Sequence, residues 1–378
     1  SPKSTAIFQF FWRWIWGEKG CLLLGFRLDQ CGKLSLLAVP MAGIDVTSWQ
    51  IRPKVQEILS RGADFAGIDR QAAFELMGLE LHSRETYALM HTANQMTRQQ
   101  FGRKGENHFH IGVNIEPCPF NCSFCSLTES AGIFKEQVEF PTPEIIEWAK
   151  TAQAEGADAL NIMTTGTYPL RKLLDLGRHL KASISTPLVA NTRDLTHKEA
   201  EQLLEAGFVG AYHAVRLGEG KDTPFIVRKR IHTIEVLKDV GLRWMNCVEP
   251  VGPEHDIGKL VDLMFLAREY KATYSGIMRR INFQGSPMEP YGMISELEMA
   301  RMLAVSRLIM GDIPSAHCSH EPHEISLLAG GNLFFPEVGA NPRDGMDQMG
   351  AGRGKSIRLT KQIHREMDLD PTLPSNCF

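Results

Sequence analysis

Three cysteines lie close together in the first third of this 378-residue chain: Cys118, Cys122 and Cys125. Their C-x-x-x-C-x-x-C spacing lets three thiolates reach one metal centre, and Pro117 and Pro119 keep helix from forming through the segment. A structural zinc site needs a fourth ligand. Three thiolates instead suit a [4Fe-4S] cluster with one iron left open, with a zinc knuckle or unrelated buried cysteines as the alternatives.

Polar residues after three later strands form a second candidate set. The turn Met163-Thr164-Thr165-Gly166 contains a glycine, Asn191 and Arg193 follow the next strand, and Arg216 and Glu219 follow the one after. An Arg with a nearby Glu can clamp the carboxylate of a small ligand and hydrogen-bond its amino group. A solvated salt bridge is the alternative for such a pair.

Cys247, Glu249, His317 and Cys318 are the candidates for chemistry on the substrate. A cysteine on a strand is more often a small buried hydrophobe than a ligand. However, the run from Ala316 to His323 is rich in side chains that bind metals or substrates, and we expect one of its histidines near the substrate. Glu249, if buried, could bind a substrate amine.

An alternation of strands and helices positions all these residues. The eight strand candidates are residues 108–115, 157–164, 187–191, 209–215, 242–248, 273–281, 313–319 and 332–337, each followed by a helical segment. Such alternation predicts an α/β fold with a parallel sheet and right-handed crossovers, and eight units predict a closed (β/α)8 TIM-type barrel. The cysteine loop follows the first strand, at the end where active sites of this fold lie.

The remaining segments predict further domains. Residues 46–105 show helical periodicity with Asp69 and Ser83 as caps and are expected to form an N-terminal helical cap on the barrel of residues 106–369. Residues 1–45 are expected to be a disordered extension or a non-native start. Residues 370–378 are expected to be a flexible tail, whose Cys377 could fold back as a ligand. Arg343 is a possible carboxylate ligand before the glycine-rich segment 345–354, a predicted mobile loop.

Composition excludes several functional classes. The 43% hydrophobic content can fill a large core, and a net charge of −3 offers no case for nucleic-acid binding. Eight cysteines in a chain of this length do not indicate a secreted disulfide framework. The apolar runs before residue 40 are too short and too often interrupted by charge to span a membrane. We therefore expect a reducing cytoplasmic location.

The cysteine motif, with Phe124 between its last two cysteines, resembles the signature of the radical S-adenosylmethionine (SAM) enzymes. Together with segments such as Val251-Gly-Pro-Glu254 and Ala329-Gly-Gly-Asn332, it is most similar to their biotin synthase-like branch. That branch includes biotin synthases, anaerobe-type lipoyl synthases, methylornithine synthases and hydrogenase-maturation enzymes. The resemblance covers roughly residues 51–369.

The resemblance implies cofactors and roles. Cys118, Cys122 and Cys125 would bind the [4Fe-4S] cluster, whose open iron binds SAM, and reductive cleavage would yield a 5'-deoxyadenosyl radical. Residues implied to bind SAM are Met163, Thr164, Thr165, Gly166, Asn191, Arg193, Arg216 and Glu219. One departure is that threonines replace the usual acidic residue in the turn after strand two.

A second departure concerns the sulfur-donating cluster of biotin synthases. Strands two and three offer Met163 and Val189 where that cluster would require cysteines, so it cannot be built in the usual way. Cys247 and Cys318 nevertheless stand on the two strands where other ligands are expected. They are candidates for a second iron-sulfur cluster or a sulfur source, both predicted to point into the barrel.

Three functions follow as expectations. The first is hydrogen abstraction from an unactivated carbon followed by sulfur insertion of the biotin or lipoyl kind. The second is carbon-skeleton rearrangement or cofactor assembly, as in methylornithine or hydrogenase-cofactor synthesis. The third is a non-catalytic iron-sulfur or zinc scaffold. The expected partners are a small-molecule or protein-bound acyl substrate and a reductant such as flavodoxin or ferredoxin, without nucleic acid or membrane.

Overall fold

The computed structural model describes residues 10–17, 20–28, 34–40, 50–339 and 355–378. The chain divides into two compact units, residues 1–50 and residues 51–378. Arg343 and the glycine-rich segment 345–354 lie outside the described residues.

The first unit contains a three-stranded antiparallel sheet. Its strands are β1 (Phe10–Gly17), β2 (Gly20–Leu28) and β3 (Leu34–Pro40), paired in that order. The expectation for this stretch was disorder or a non-native start, whereas the backbone of these three segments forms strands. Short apolar runs rich in aromatic and leucine residues suit strand pairing, and Gly17 faces Gly20 across the connection from β1 to β2. The expectation that residues 1–45 are a non-native start stays a prediction.

Three helices open the second unit: α1 (Pro53–Ala63), α2 (Arg70–Met77) and α3 (Arg84–Phe101). The side chains of Asp69 and Ser83 accept hydrogen bonds from the backbone amides of Ala72 and Thr86, as the sequence predicted for N-caps. The apolar faces of the three helices share a hydrophobic cluster with barrel helices and strands.

The barrel contains the parallel strands that the sequence predicted to alternate with helices. They are β4 (Glu106–Gly112), β7 (Ala159–Met163), β8 (Leu188–Asn191), β9 (Phe208–Tyr212), β10 (Arg243–Met245), β11 (Val248–Val251), β12 (Tyr274–Arg279), β13 (Ala316–Ser319), β14 (Leu333–Phe334) and β15 (Glu337–Val338), and β5 (Asn114–Ile115) and β6 (Val138–Glu139) form a small antiparallel pair beside them. The surrounding helices are α4 (Thr142–Ala154), α5 (Leu170–Ser183), α6 (His197–Glu205), α7 (Val227–Asp239), α8 (Ile257–Glu269), α9 (Glu296–Met310), α10 (Glu324–Leu328) and α11 (Ile357–Glu366).

Pairing around the ring closes the barrel. The order runs from β4 through β7, β8, β9 and β10 on one side and through β14, β13 and β12 on the other. Met245 of β10 pairs with Tyr274 of β12, which joins the two ends. The predicted eight-stranded (β/α)8 fold is therefore confirmed. The fifth strand is interrupted, because Asn246 and Cys247 separate β10 from β11.

Alternation along each strand separates the interior from the helical ring. On β7, Leu160 and Ile162 pack in the large cluster under the surrounding helices, whereas Ala159 belongs to a different cluster inside the barrel. Because neighbouring strand residues point to opposite faces, this division identifies the inward side chains of every strand. The interior cluster also contains Tyr212, Tyr274 and Phe335.

Residues 370–378 differ from the expected flexible tail. The Ser375 hydroxyl donates to Glu106 Oε2 at 2.9 Å, and the Asn376 amide donates to Glu106 Oε1 at 2.6 Å. Cys377 is only 3% exposed and packs in the interior cluster with Phe378. Glu106 begins the first barrel strand, so the tail covers the end of the barrel opposite the cysteine loop. A buried carboxylate needs such donors, and the polar tail supplies them.

Candidate active site

The cysteine loop folds back on itself through backbone hydrogen bonds. The Cys118 amide donates to Leu127 O at 2.7 Å, and the Glu129 amide donates to Cys118 O at 3.1 Å. Between them, the Cys125 amide donates to Cys122 O at 2.9 Å. These bonds hold the three cysteines on one compact loop. Pro117 and Pro119 prevent helix formation but do not by themselves close the loop.

Two later loops hold the cysteine loop in place. The Ser123 amide donates to Asp222 O at 2.8 Å, and the buried Ser286 hydroxyl donates to Ser123 O at 3.1 Å. Asp222 follows β9 and Ser286 follows β12, so the loop is attached to two distant parts of the barrel rim. We call these two bonds the Ser123 clamp. The thiols are therefore positioned by protein contacts that need no metal.

The three thiols line one cavity of about 240 Å³. Its walls contain Cys118, Phe120, Cys122, Phe124, Cys125, Leu127, Met163, Thr164, Thr165, Gly166, Asn191, Thr192, Arg193, Arg216, Phe225 and Arg230. The structure thus brings together all three predicted metal ligands and every predicted cofactor-binding residue except Glu219. All of them come from the carboxyl ends of strands, where this fold places its active sites.

The electrostatics of two thiols describe the cavity before any metal binds. Burial, aided by the neighbouring Cys125 thiol, raises the pKa of Cys122 to about 12, and burial also raises the pKa of Cys118. The bare Cys118 and Cys122 thiols therefore hold their protons, and a metal that binds them has to displace those protons. Three sulfur donors on one cavity, with cationic Arg216 and Arg230 in its wall, fit a cluster that carries net negative charge.

The turn after β7 binds a carboxylate from another loop, which sequence reasoning missed. The hydroxyls of Thr165 and Thr167 both donate to Glu116 Oε1, and Asn114 Nδ2 donates to Thr165 Oγ1 at 2.8 Å. Threonines replace an acidic residue in this turn, but Glu116 brings a carboxylate to it from the cysteine loop. Its position two residues before Cys118 was the available signal.

Arg216 and Glu219 are not paired as the sequence predicted. Arg216 Nε lies 3.0 Å from Glu249 Oε1, across the interrupted fifth strand. The fully buried Glu219 side chain instead pairs with Arg230, whose Nε lies 3.0 Å from Glu219 Oε1. Glu219 therefore does not line the cavity. It holds Arg230, which does.

Two other cationic groups of the cavity are also tied to carboxylates. Arg193 lies 2.6 Å from Glu199 Oε1, and Arg230 Nη1 lies 3.0 Å from Asp194 Oδ1. Although burial acts in the opposite direction, hydrogen bonds from His213 and Arg230 lower the pKa of Asp194 to about 2. The carboxylate therefore stays ionised and keeps Arg230 in place.

Cys247 and Cys318 both lie in the interior cluster and are fully buried, so both point into the barrel as predicted. His317 does not. Its ring lies on the opposite face of β13, where Nε2 is 3.0 Å from Leu303 O of α9, and burial lowers its pKa to about 3. Because Cys318 faces inward, alternation directs His317 outward, and its predicted catalytic role is not supported by this location.

Glu249 belongs to a buried group that sequence reasoning described only in part. The Tyr212 hydroxyl donates to Glu249 Oε2, and His320 Nε2 lies 3.5 Å from the same hydroxyl. One ligand atom from each of Cys247, Glu249 and His320 lies within 4.8 Å of the others. Tyr212 was missed because a tyrosine in a buried strand carries no signal of its own.

Comparisons with known proteins agree with this geometry. The chain is 23% identical over 288 residues to a biotin synthase of Clostridioides difficile, covering 72% of this chain and 85% of that protein. It is 26% identical over 271 residues to a biotin synthase of Heliobacterium modesticaldum, covering 68% and 80%. No family model matches.

Solved structures with the same fold include a methylornithine synthase, with a TM-score of 0.72 at 15% identity, covering 84% of this chain and 98% of that one. HydG, a maturase of the [FeFe]-hydrogenase, gives a TM-score of 0.71 at 12% identity, covering 84% and 75%. The resemblance to the biotin synthase-like branch of radical SAM enzymes, predicted from the cysteine motif, is confirmed.

Proposed function

We propose, from this similarity, that the chain is a radical SAM enzyme that cleaves SAM reductively and abstracts hydrogen from an unactivated carbon. The observation that carries the proposal is the single cavity lined by Cys118, Cys122, Cys125 and the predicted SAM-binding residues. Bound there, a [4Fe-4S] cluster with an open iron supplies the electron that splits SAM into methionine and the 5'-deoxyadenosyl radical.

The protein residues then bind and orient SAM. Arg216 is the best-placed cation for the SAM carboxylate. Glu249 binds the guanidinium through Nε, and the Arg216 side chain lines the cavity. Arg193 is the next candidate. Thr164, Gly166 and Asn191 offer hydroxyl, backbone and amide groups in the lining of the same cavity.

Sulfur insertion of the biotin or lipoyl kind is the reaction that we favour. Two buried inward thiols, Cys247 and Cys318, support it, since they supply soft ligands or a sulfur source below the cavity. A second iron-sulfur cluster would use both residues. The similarity in sequence to biotin synthases also supports this choice.

Rearrangement or cofactor assembly is the second candidate. Among the described residues, Cys318 belongs to neither of the two groups whose ligand atoms lie within 4.8 Å of one another. Its Sγ lies 3.8 Å from Asn246 O. A cysteine in that position can be an ordinary core residue, and this role is consistent with an enzyme that has one cluster.

The proposal implies a low-potential reductant such as flavodoxin or ferredoxin and a substrate that is a small molecule or a protein-bound acyl chain. A cytoplasmic location remains our prediction. In the part of the chain that the structure describes, none of the helices has the length and apolar content that crossing a bilayer demands.

Anaerobic reconstitution tests the proposal. The wild type and a Cys247→Ala/Cys318→Ala double variant are reconstituted, their iron and sulfide are counted, and 5'-deoxyadenosine is measured after adding dithionite and SAM. Sulfur insertion predicts two clusters in the wild type and one in the variant. One cluster in both favours rearrangement, and the absence of 5'-deoxyadenosine identifies a non-catalytic scaffold.

A further inference from the structure

A second group of metal-ligand side chains lies at the far end of the barrel from the cysteine loop. One ligand atom from each of Glu106, His108 and Cys377 lies within 4.8 Å of the others. Glu106 and His108 are two residues apart on β4, so both point inward, and Cys377 is brought to them by the tail. All three side chains are buried.

From these three side chains we propose a mononuclear site for a divalent transition metal of the zinc class, which joins the tail to the first barrel strand. Carboxylate, imidazole and thiolate are the three donor types that zinc accepts in proteins. The site is separate from the cysteine loop, and its existence does not depend on the function proposed above.

His108 indicates a missing ligand. Its side chain is completely buried, and neither ring nitrogen makes a hydrogen bond to the residues that the structure describes. Aromatic rings surround it, with the Tyr274 and Phe378 ring centroids each 5.4 Å away. Buried imidazoles in proteins nearly always have a partner for their polar atoms.

The spacing of the donors suits a shared ion better than a direct hydrogen bond. His108 Nε2 lies 3.5 Å from Glu106 Oε2, at the outer limit of a hydrogen bond. Two zinc ligands with bonds of about 2.0 to 2.3 Å lie at most about 4.5 Å apart, and tetrahedral geometry brings them closer. Tetrahedral ligands at these bond lengths lie about 3.5 Å apart, so the His108–Glu106 distance already fits, and the largest separation within the group, at most 4.8 Å, needs to close by up to about 1.3 Å.

The surroundings of Glu106 resemble the support that metal-binding carboxylates receive. Ser375 and the Asn376 amide each donate to one of its oxygens and fix its orientation. Each carboxylate oxygen keeps a further lone pair for an ion. Both donors come from the tail segment that carries Cys377.

Charge also balances at this site. Lys104 Nζ lies 2.6 Å from Asp158 Oδ1, so this neighbouring carboxylate already has a cation. Lys104 also acts on Glu106, and a dication would displace the Cys377 thiol proton and pair with the resulting thiolate and with the carboxylate. A divalent ion would neutralise both in a place where unpaired charges are costly.

The experiment uses full-length protein with Cys118, Cys122 and Cys125 all replaced by alanine, so that no cluster iron interferes. Zinc is measured by elemental analysis after purification, and the apoprotein is titrated anaerobically with Co²⁺. The expected result is about one equivalent of metal and a thiolate-to-cobalt charge-transfer band. Cys377→Ser and His108→Gln, added to this background, should each lose at least about tenfold in affinity.

His364→Gln is the matched control for His108→Gln, because His364 is an equally buried imidazole that belongs to neither ligand group of the described residues. It should keep full binding. Chelation of the parent protein provides a test without the ligand variants: hydrogen exchange should accelerate in residues 370–378 while the barrel strands stay protected. Unchanged metal content in Cys377→Ser, or the absence of a charge-transfer band in the parent, would overturn the proposal.

Discussion

Arg216 is paired with Glu249 rather than with Glu219, through an Nε–Oε1 distance of 3.0 Å. Arg216 lines the cysteine cavity, whereas Glu249 is buried beside Tyr212 in the barrel interior. The pair therefore connects the predicted SAM site to the predicted substrate site. We therefore expect substrate-site changes that move this guanidinium to alter SAM binding.

Replacing Arg216 by alanine should weaken SAM binding by about 1.5 to 3 kcal/mol, the range for a hydrogen bond to a charged group. Anaerobic calorimetry on the reconstituted protein measures it. Because the substitution leaves Glu249 buried without its cation, the Arg216→Ala/Glu249→Gln double variant serves as the control for that secondary effect. An unchanged SAM affinity in both variants would contradict this role for Arg216 and would indicate that Arg193 binds the carboxylate.

Alanine at any one of Cys118, Cys122 or Cys125 should abolish formation of 5'-deoxyadenosine and leave the barrel folded. The loop is held by the Ser123 clamp and by its own backbone bonds, so its shape does not depend on the metal. Chromatography measures 5'-deoxyadenosine, and circular dichroism checks that the barrel stays folded. Ser130→Ala, at an exposed loop position that does not line the cavity, is the comparison variant, and 5'-deoxyadenosine from any cysteine variant would contradict the assignment.

Acid should destabilise the protein through His317. Burial lowers the pKa of His317 to about 3, from an ordinary value of 6.5. Below about pH 6.5 the unfolded chain binds a proton that the folded chain does not, so stability falls with decreasing pH until about pH 3. Between pH 7 and pH 5 this contributes up to about 2 kcal/mol.

The measurement is the urea unfolding midpoint against pH for the wild type and His317→Gln. Glutamine can still donate to Leu303 O but does not titrate, so the slope below pH 6.5 should become shallower by the share of one histidine, while buried His364 and His213, whose pKa burial also lowers, keep theirs. His232→Gln, at an exposed position on α7, should keep the wild-type slope. Parallel curves for the wild type and His317→Gln would show that other groups cause the acid sensitivity.

Gly276 should tolerate no side chain. A Cβ at this position on β12 would lie 1.7 Å from Cys318 O of β13. The two strands would have to separate, and we expect Gly276→Ala to lose at least about 3 kcal/mol of unfolding free energy. Gly78→Ala is the control, because its Cβ would meet nothing closer than 3.5 Å. Equal urea midpoints for the two variants would contradict this reading of the strand contact.

The barrel and the cysteine cavity were predictable because both depend on local pattern. Each parallel strand is a short apolar run between helices, and strand ends share one rim, so Cys118 and Arg193 had to lie near each other. The pairing of Arg216 with Glu249 was not predictable, since it depends on an interruption after β10 that brings together residues 33 positions apart. The tail was missed because its polar sequence lacks periodicity and is ordered only by distant Glu106.

For the proposed radical SAM function, the Ser123 clamp has a consequence for the lifetime of the protein in cells. Iron-sulfur clusters with an open iron are destroyed by oxygen, and a loop ordered only by its cluster would collapse or be cleaved at that moment. Here the loop is held by the Ser123 amide bond to Asp222 O and by the Ser286 hydroxyl bond to Ser123 O, and neither bond involves a thiol. We therefore expect the loop to keep its shape when the proposed cluster is lost, so that repair would require delivery of iron and sulfide and no refolding of the chain.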